Sequence, residues 1–310
     1  MHAVFVDRTT EMRRVMAARS LPIPATLAVS DGDPTTADLI RLCRTAHVML
    51  VEHSVVEPAV FDACPSIRTV IFMGTGAEAY VDLDDARHRG IAVHTTPGYG
   101  DQAVAEHAVA LMLSAARNVV RMDRAIRSGT WRPLGGLQLQ GRKLAVVGMG
   151  GIGTAVAKIA LALGMRVAAW NRTPRELRCF EPNLDEALRD ADVVTLHLRL
   201  NAATNGLLDE RRLRLPKKGF VLVNTARAAL VPEQALLGAL ADGQIGHAAL
   251  DVFHVEPLPD ENPYAALENV TLTAHAAYMT DEAYAQLWML TLQKLASLQQ
   301  HGEGITSTPA

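Results

Sequence analysis

Three side chains able to bind or move charge stand just beyond successive apolar runs late in the chain. Arg227 follows Phe220–Asn224, Glu256 follows Ala248–Val252, and His275 follows Val270–Thr273. An arginine grips a planar carboxylate through two parallel N–H donors. A histidine changes charge near neutrality and so can both give and take a proton. A carboxylate beside it favours the charged form. Taken singly, Arg227 reads as a structural ion pair and His275 as a satisfied core histidine. One such group at each of three consecutive strand ends says more, because open α/β sheets bind ligands at the carboxyl ends of their strands. The chemistry implied is binding of a substrate together with movement of a proton.

A second constellation lies upstream. Leu144-Ala145-Val146-Val147 is wholly apolar, as a buried parallel strand should be, and it runs into Gly148-Met149-Gly150-Gly151-Ile152-Gly153 and an Ala-rich helix. The first glycine permits the tight turn, the second lets backbone approach a pyrophosphate, and the third lets helix pack on strand. The helix N-terminus then offers unpaired N–H groups to the phosphates. With a strand before, a helix after and a second strand at Arg166–Trp170, the spacing predicts a dinucleotide site and hence hydride transfer. At the end of that second strand, where a carboxylate would hold the adenosine ribose, stand Asn171, Arg172 and Thr173. A missing carboxylate followed by a cation and a hydroxyl favours NADP(H), with NAD(H) as the alternative.

The elements that must position these residues follow a repeating pattern. Ala3–Val6, His47–Val51, Thr69–Met73 and Ile91–His94 read as strands, with helices at Thr36–Arg44 and Asp82–Arg89 between them. Asp33-Pro34 and Asp82 supply helix starts. After the turn-rich 95–100 segment, Asp101 to about Arg127 reads as one long helix. A second series then has strands at 143–147, 166–170, 192–196, 220–224, 248–252 and 270–273, with helices at 152–163, 184–189 and 233–241, and a closing helix over about 281–299. Gly302 onward reads as a frayed tail. The expected fold is α/β: two doubly wound parallel-sheet domains, a smaller one over 1–97 plus 278–310 and a dinucleotide-binding Rossmann domain over 98–277. The two crossings between them permit hinge closure.

The length of 310 residues suits two such domains. A net charge of −3 gives no field to hold a polyanion, so nucleic acid is excluded as the main partner. No apolar run reaches the ~18 residues of a membrane span, and the N-terminus lacks the features of a signal peptide. Three scattered cysteines, Cys43, Cys64 and Cys179, suit a reducing cytoplasm and make neither a disulfide framework nor a metal site. The Asp101 helix carries Val104, Ala108, Leu111, Met112, Ala115 and Val119 on more than one face, which calls for cover from more than one side.

Several stretches together resemble the D-isomer-specific 2-hydroxyacid dehydrogenases over nearly the whole chain. They are Gly74-Thr75-Gly76 with Val81-Asp82-Leu83, Pro97-Gly98 followed by Val104-Ala105-Glu106-His107, the glycine loop, Asn224-Thr225-Ala226-Arg227, Ala249-Leu250-Asp251-Val252-Phe253 with Glu256-Pro257, and His275. The resemblance implies a flavodoxin-like substrate domain beside the Rossmann domain, and reduction of a 2-keto acid to a D-2-hydroxy acid, or the reverse. Arg227 would anchor the substrate carboxylate, His275 would be the acid/base, and Glu256 would orient it. Thr75 and Gly76 would add backbone donors; Tyr278 departs from the family, which often has glycine or a small residue there, and reads either as narrowing the pocket or offering the substrate a hydroxyl, or as simple packing. The cofactor would be lined by Val104, residues 148–153, Asn171, Arg172, Thr173, His197, Thr225, Ala226, Arg227, Asp251, His275 and Ala277, with no metal.

The resemblance also implies a homodimer through the dinucleotide domain, with Trp131 near the contact. Departures from the family pattern include Ala228, Pro232, Arg199 and Ala274, none of which removes a catalytic group; His53 and Ser54 fall near a substrate-facing loop. Formate or phosphonate oxidation on the same fold is a sibling alternative; the formate-oxidising relatives replace the glutamate with glutamine, so Glu256 speaks against the formate activity. A cofactor-sensing scaffold of the corepressor kind is the other alternative, and it would need binding surfaces beyond the core.

Overall fold

The computed structural model describes residues 2–300. They form two compact units: residues up to Gly100 together with those from Met279, and Asp101–Tyr278. The divisions fall a few residues beyond the expected 97/98 and 277/278. At the first, the connector stays with the earlier sheet because Thr96 N–H donates to the Gly74 carbonyl (2.9 Å). At the second, Asp251 accepts the Ala276 and Ala277 N–H groups.

The first unit runs β1 (Ala3–Arg8), α1 (Thr10–Ala18), β2 (Leu27–Asp31), α2 (Thr36–Cys43), β3 (Val48–Val51), α3 (Pro58–Ala63), β4 (Thr69–Phe72), α4 (Leu83–His88) and β5 (Ala92–His94). Its parallel strands lie in the order β2-β1-β3-β4-β5, the flavodoxin-like order. The central strands β3 and β4 are buried at every position. That is why their apolar runs are plain in the sequence. The edge strand β2 buries only Leu27 and leaves no such signature; it and the short helices α1 and α3 were not anticipated. Helix α2 is capped by Thr35, whose side chain exchanges bonds with Asp38 in a capping box, rather than by Asp33-Pro34. Asp82 caps α4 as expected, accepting from the Asp84 and Asp85 N–H groups.

The second unit runs α5 (Asp101–Ala116), α6 (Val119–Arg127), β6 (Lys143–Val147), α7 (Gly151–Ala162), β7 (Arg166–Trp170), α8 (Leu184–Leu188), β8 (Val193–Leu196), α9 (Glu210–Leu213), β9 (Phe220–Asn224), α10 (Glu233–Ala241), β10 (Ile245–Leu250) and β11 (Val270–Leu272). All strands are parallel in the order β11-β10-β9-β8-β6-β7, and Phe180 adds an isolated parallel bridge to Ala169 beyond β7. Counting that bridge as a vestigial strand, the order is the Rossmann one with an extra strand at the far edge. Strand order reverses between β6 and β8, so the ligand crevice lies at their carboxyl ends.

The single helix expected over 101–127 is two helices bent by 65°. Asn118 takes a left-handed backbone (φ 53°), a conformation asparagine tolerates better than most residues. The returning chain seals the break: Leu137 N–H takes the Ala116 carbonyl (2.7 Å) and the Asn118 amide donates to the Gly135 carbonyl (2.6 Å). Most apolar residues of α5 are covered within its own unit, in a core shared with Met149, Val156, Val223 and Ala249, while Leu113 is exposed. Val119, Ile126 and Trp131 remain exposed. No single helix among the described residues is long and apolar enough to cross a membrane.

Helix α11 (Asp281–Gln300) returns to the first unit. Its fully buried Trp288 stacks on Phe5 (5.8 Å between centroids) and donates to the Pro22 carbonyl (2.8 Å), while Asp281 and Glu282 pair with Arg14 and Arg19. The tail from Gly302 lies outside the described residues.

Candidate active site

The carboxyl ends of β9, β10 and β11 are stitched to one another. Asp251 N–H donates to the Asn224 carbonyl (3.0 Å), and His275 N–H donates to the Asp251 carbonyl (2.8 Å). This carries the strand ladder past the sheet, to Asp251 one residue beyond β10 and His275 three beyond β11, and puts the three loops in register. Buried Asn224 shapes the first loop, its side chain accepting from Ala226 N–H (3.0 Å) and donating to the Arg227 carbonyl (2.9 Å). The Arg227 guanidinium is steadied by one donation to the Ala226 carbonyl (2.7 Å), which leaves most of its donors for a ligand.

Asp251 sits under the third loop with no exposed surface. Its carboxylate accepts from Thr273 Oγ1 (2.6 Å) and from the Ala276 and Ala277 N–H groups (both 3.0 Å). Thr273 spends its one hydroxyl proton there, so the 3.0 Å contact between Thr273 and His107 has the ring Nε2 as donor. His107 is 3.6 Å from Asp251, close enough for attraction but too far for a hydrogen bond. Burial raises the Asp251 carboxyl, and these contacts outweigh it and hold the group below its usual range. Assigned by sequence to the cofactor, Asp251 is here the anchor of the loop carrying His275. His107 and Thr273 were not singled out for this role, and nothing in their spacing signals it.

His275 is held in the left-handed region (φ 49°). Such a residue costs on the order of 1 kcal/mol or more and persists only where its surroundings enforce it, which is characteristic of functional sites. Its Nδ1 meets Glu256 Oε2 at 2.6 Å, and Glu256 Oε1 accepts from Phe253 N–H at 2.7 Å. Burial raises the Glu256 carboxyl, but His275, the Phe253 N–H and the nearby Arg227 charge together hold it below the usual carboxylate range. Glu256 is therefore an anion near neutrality and fixes the ring. With Nδ1 engaged, Nε2 is the nitrogen left to serve a ligand, and 36% of the histidine side chain is open to solvent. The structure thus brings Arg227, Glu256 and His275 together. Thr75 and Gly76 follow β4 in the other unit, Thr75 exposed and Gly76 buried; Tyr278 is the half-buried last residue of the second unit.

The glycine loop fits a dinucleotide. Gly148 has φ 108° and lies so close to the His197 carbonyl (2.7 Å from an added Cβ) that no side chain is accommodated. Above Gly150 there is open space, as an approaching pyrophosphate requires. At the carboxyl ends of β8 and β9, His197 Nδ1 and Thr225 Oγ1 are buried without a hydrogen-bond partner, which leaves two polar atoms awaiting a ligand. His197 Nε2 pairs with Thr195 Oγ1 (2.9 Å), and burial pushes the ring down to about 3, so it is neutral. Val104, Met149 and Ala277 are buried, Ile152 partly so. Asn171 accepts from Met149 N–H (3.1 Å) and donates to the Thr173 carbonyl (2.9 Å), bracing the loop against the end of β7, and its second amide proton is left for a ligand. Arg172 and Thr173 are exposed.

A Cβ on Gly153 would lie 1.9 Å from the Gly148 carbonyl oxygen. Gly153→Ala must push α7 away from the loop, an overpacking cost of about 1–3 kcal/mol. Thermal melting is expected to show the loss of stability and a fluorescence titration weaker cofactor binding; unchanged values would mean that α7 is free to shift.

The family model described as "D-isomer specific 2-hydroxyacid dehydrogenase, NAD binding domain" matches residues 109–277. The chain is 39% identical over 250 residues to the glyoxylate reductase of Aeropyrum pernix, covering 76% of this chain and 74% of that protein. It is 33% identical over 250 residues to the hydroxypyruvate reductase of Blautia hydrogenotrophica, covering 76% and 77%. Among solved structures, an acyclic imino acid reductase (Bsp5) in complex with NADPH and D-Arg superimposes with TM-score 0.83 at 26% identity, over 97% of this chain and 98% of that one. With the Rossmann unit, its cradle for a nicotinamide dinucleotide and the triad in place, the chain belongs to the D-isomer specific 2-hydroxyacid dehydrogenase family.

Proposed function

We propose that this protein reduces small 2-keto acids of the glyoxylate and hydroxypyruvate kind to D-2-hydroxy acids, with NADPH favoured over NADH. The observation that carries the reading is the 2.6 Å Glu256–His275 pair held in register with Arg227. Arg227 binds the substrate carboxylate through its planar fork. Glu256 keeps the ring oriented and its protonated form supported. His275 Nε2 then gives a proton to the carbonyl oxygen as it becomes a hydroxyl, or takes one from the hydroxyl in reverse. The dinucleotide, when bound, supplies or receives the hydride at C2. The names of the two reductase relatives support the substrate class.

The test is turnover of glyoxylate, hydroxypyruvate, pyruvate and phenylpyruvate with each cofactor, with the product's handedness read by a chiral separation for the last three, glycolate being achiral. No turnover on any of the four, or an L-product, would overturn the reading. Glu256→Gln supplies a check on the proton path. Without the carboxylate the ring loses its ionic brace at Nδ1, so kcat for reduction should fall while cofactor affinity holds. An unchanged kcat would show that Glu256 does not position the ring.

The protein is further proposed to work as a homodimer through the second unit. The support is the exposed apolar trio Val119, Ile126 and Trp131, with Trp131 86% exposed, since apolar groups gathered on a surface mark an interaction site. Light scattering at micromolar concentration is expected to give twice the chain mass for the wild type and a shift toward monomer for Trp131→Glu. A monomeric wild type would refute the assembly.

A further inference from the structure

A cleft of about 670 Å³ opens beside the start of α7, within the second unit. Gly150, Gly151, Thr154 and Lys158 line it from the loop and one face of the helix, and Arg175 and Glu176 from the segment after β7. Lys158 and Arg175 are exposed, and among the described residues neither side chain makes an ion pair or hydrogen bond. Two unpartnered cations around one concavity are an anion seat. Glu176 offsets part of that charge without cancelling it.

The position of Lys158 says which anion. The helix N-terminus at Gly151 serves the pyrophosphate, as its N–H groups point there. Lys158 is two turns further along α7, roughly 10 Å at 1.5 Å per residue, and its stem leans back toward the N-terminus by about one turn. Its charge therefore serves a second phosphate set off from the first, not the pyrophosphate itself. The adenosine ribose belongs at the end of β7, and Asn171 ties that end to Met149, which also borders the cleft. A phosphate on that ribose would reach the cleft. Arg172, singled out from the sequence, does not line it.

We propose that Lys158 and Arg175 together seat the adenosine 2′-phosphate and so make this cleft the determinant of NADPH over NADH. The proposal rests on the cofactor reading above and adds to it a residue on α7 that the strand-end pattern does not contain. Both groups are exposed and screened by salt, so the preference they confer should shrink as ionic strength rises.

Calorimetry with 2′,5′-ADP and 5′-AMP, and fluorescence titration with NADPH and NADH, test it without turnover. The wild type is expected to prefer 2′,5′-ADP and NADPH. Lys158→Gln and Arg175→Gln should each weaken those two ligands by about tenfold, the lower end for a charge-assisted contact, with 5′-AMP and NADH unaffected. The double variant should lose the preference, whereas Arg172→Gln should change it less. Equal melting temperatures will show that the variants remain folded. A wild type without preference would overturn both the cofactor reading and this seat. A wild-type preference that survives Lys158→Gln and Arg175→Gln, or a loss shared equally by all four ligands, would overturn the seat alone.

Discussion

Replacing His275 by Ala is expected to lower kcat for 2-keto acid reduction by about 10²–10⁴-fold, the usual contribution of a positioned proton donor, while cofactor affinity changes little. The size follows from the surroundings of the ring. Its Nδ1 is committed to Glu256, its backbone N–H to the Asp251 carbonyl, and its left-handed φ is enforced by a loop that Asp251 anchors at three points. Its two charged neighbours are no substitute: an arginine side chain does not give up its proton, and Glu256 is held ionised. Loss of the imidazole also leaves the Glu256 charge without its partner, so the variant should melt slightly lower. Pre-steady-state reduction followed at the nicotinamide absorbance gives the rate. A variant that turns over within about threefold of the wild type would mean that water or another group delivers the proton, contrary to the general-acid role.

Arg227→Lys is expected to lower kcat/KM by roughly 10–100-fold, from the ~1.5–3 kcal/mol of a charge-assisted contact at tenfold per 1.4 kcal/mol. The charge is kept, so the loss isolates geometry. A guanidinium offers a planar fork to both carboxylate oxygens, whereas an ammonium meets them as a point. The loop around Arg227 is built for that fork: Asn224 holds the Arg227 carbonyl, and one guanidinium nitrogen is braced on Ala226. Both KM and kcat should suffer, because a carboxylate held by one contact also presents C2 poorly to the hydride donor. An unchanged kcat/KM for glyoxylate would move the carboxylate anchor to another group.

Much of this protein is decided by its local sequence. The alternation of apolar runs with three-and-four-spaced stretches predicts two parallel α/β units, because strands buried on both faces must be apolar throughout and helices covering them must be apolar on one side. The glycine loop is equally legible, since only a residue without Cβ fits beneath the His197 carbonyl or against Gly148. Arg227, Glu256 and His275 stand out because each closely follows a recognisable strand. What the sequence left open are pairings between residues far apart in the chain. Nothing near Asn118 announces that Gly135 and Leu137 return to end α5 there. The local sequence offers Asp251 as a cofactor residue but does not show that Thr273, Ala276 and Ala277 donate to its carboxylate beneath the His275 loop. The local sequence offers Asn171 at the ribose end but not its brace to Met149, and Lys158 is an ordinary surface lysine until Arg175 is seen lining the same cleft. The physical reason is common to all four. Periodicity and backbone permissiveness act over a few residues and are written in local sequence, whereas the partner a polar side chain takes is chosen by which distant segments packing brings within about 3 Å of it.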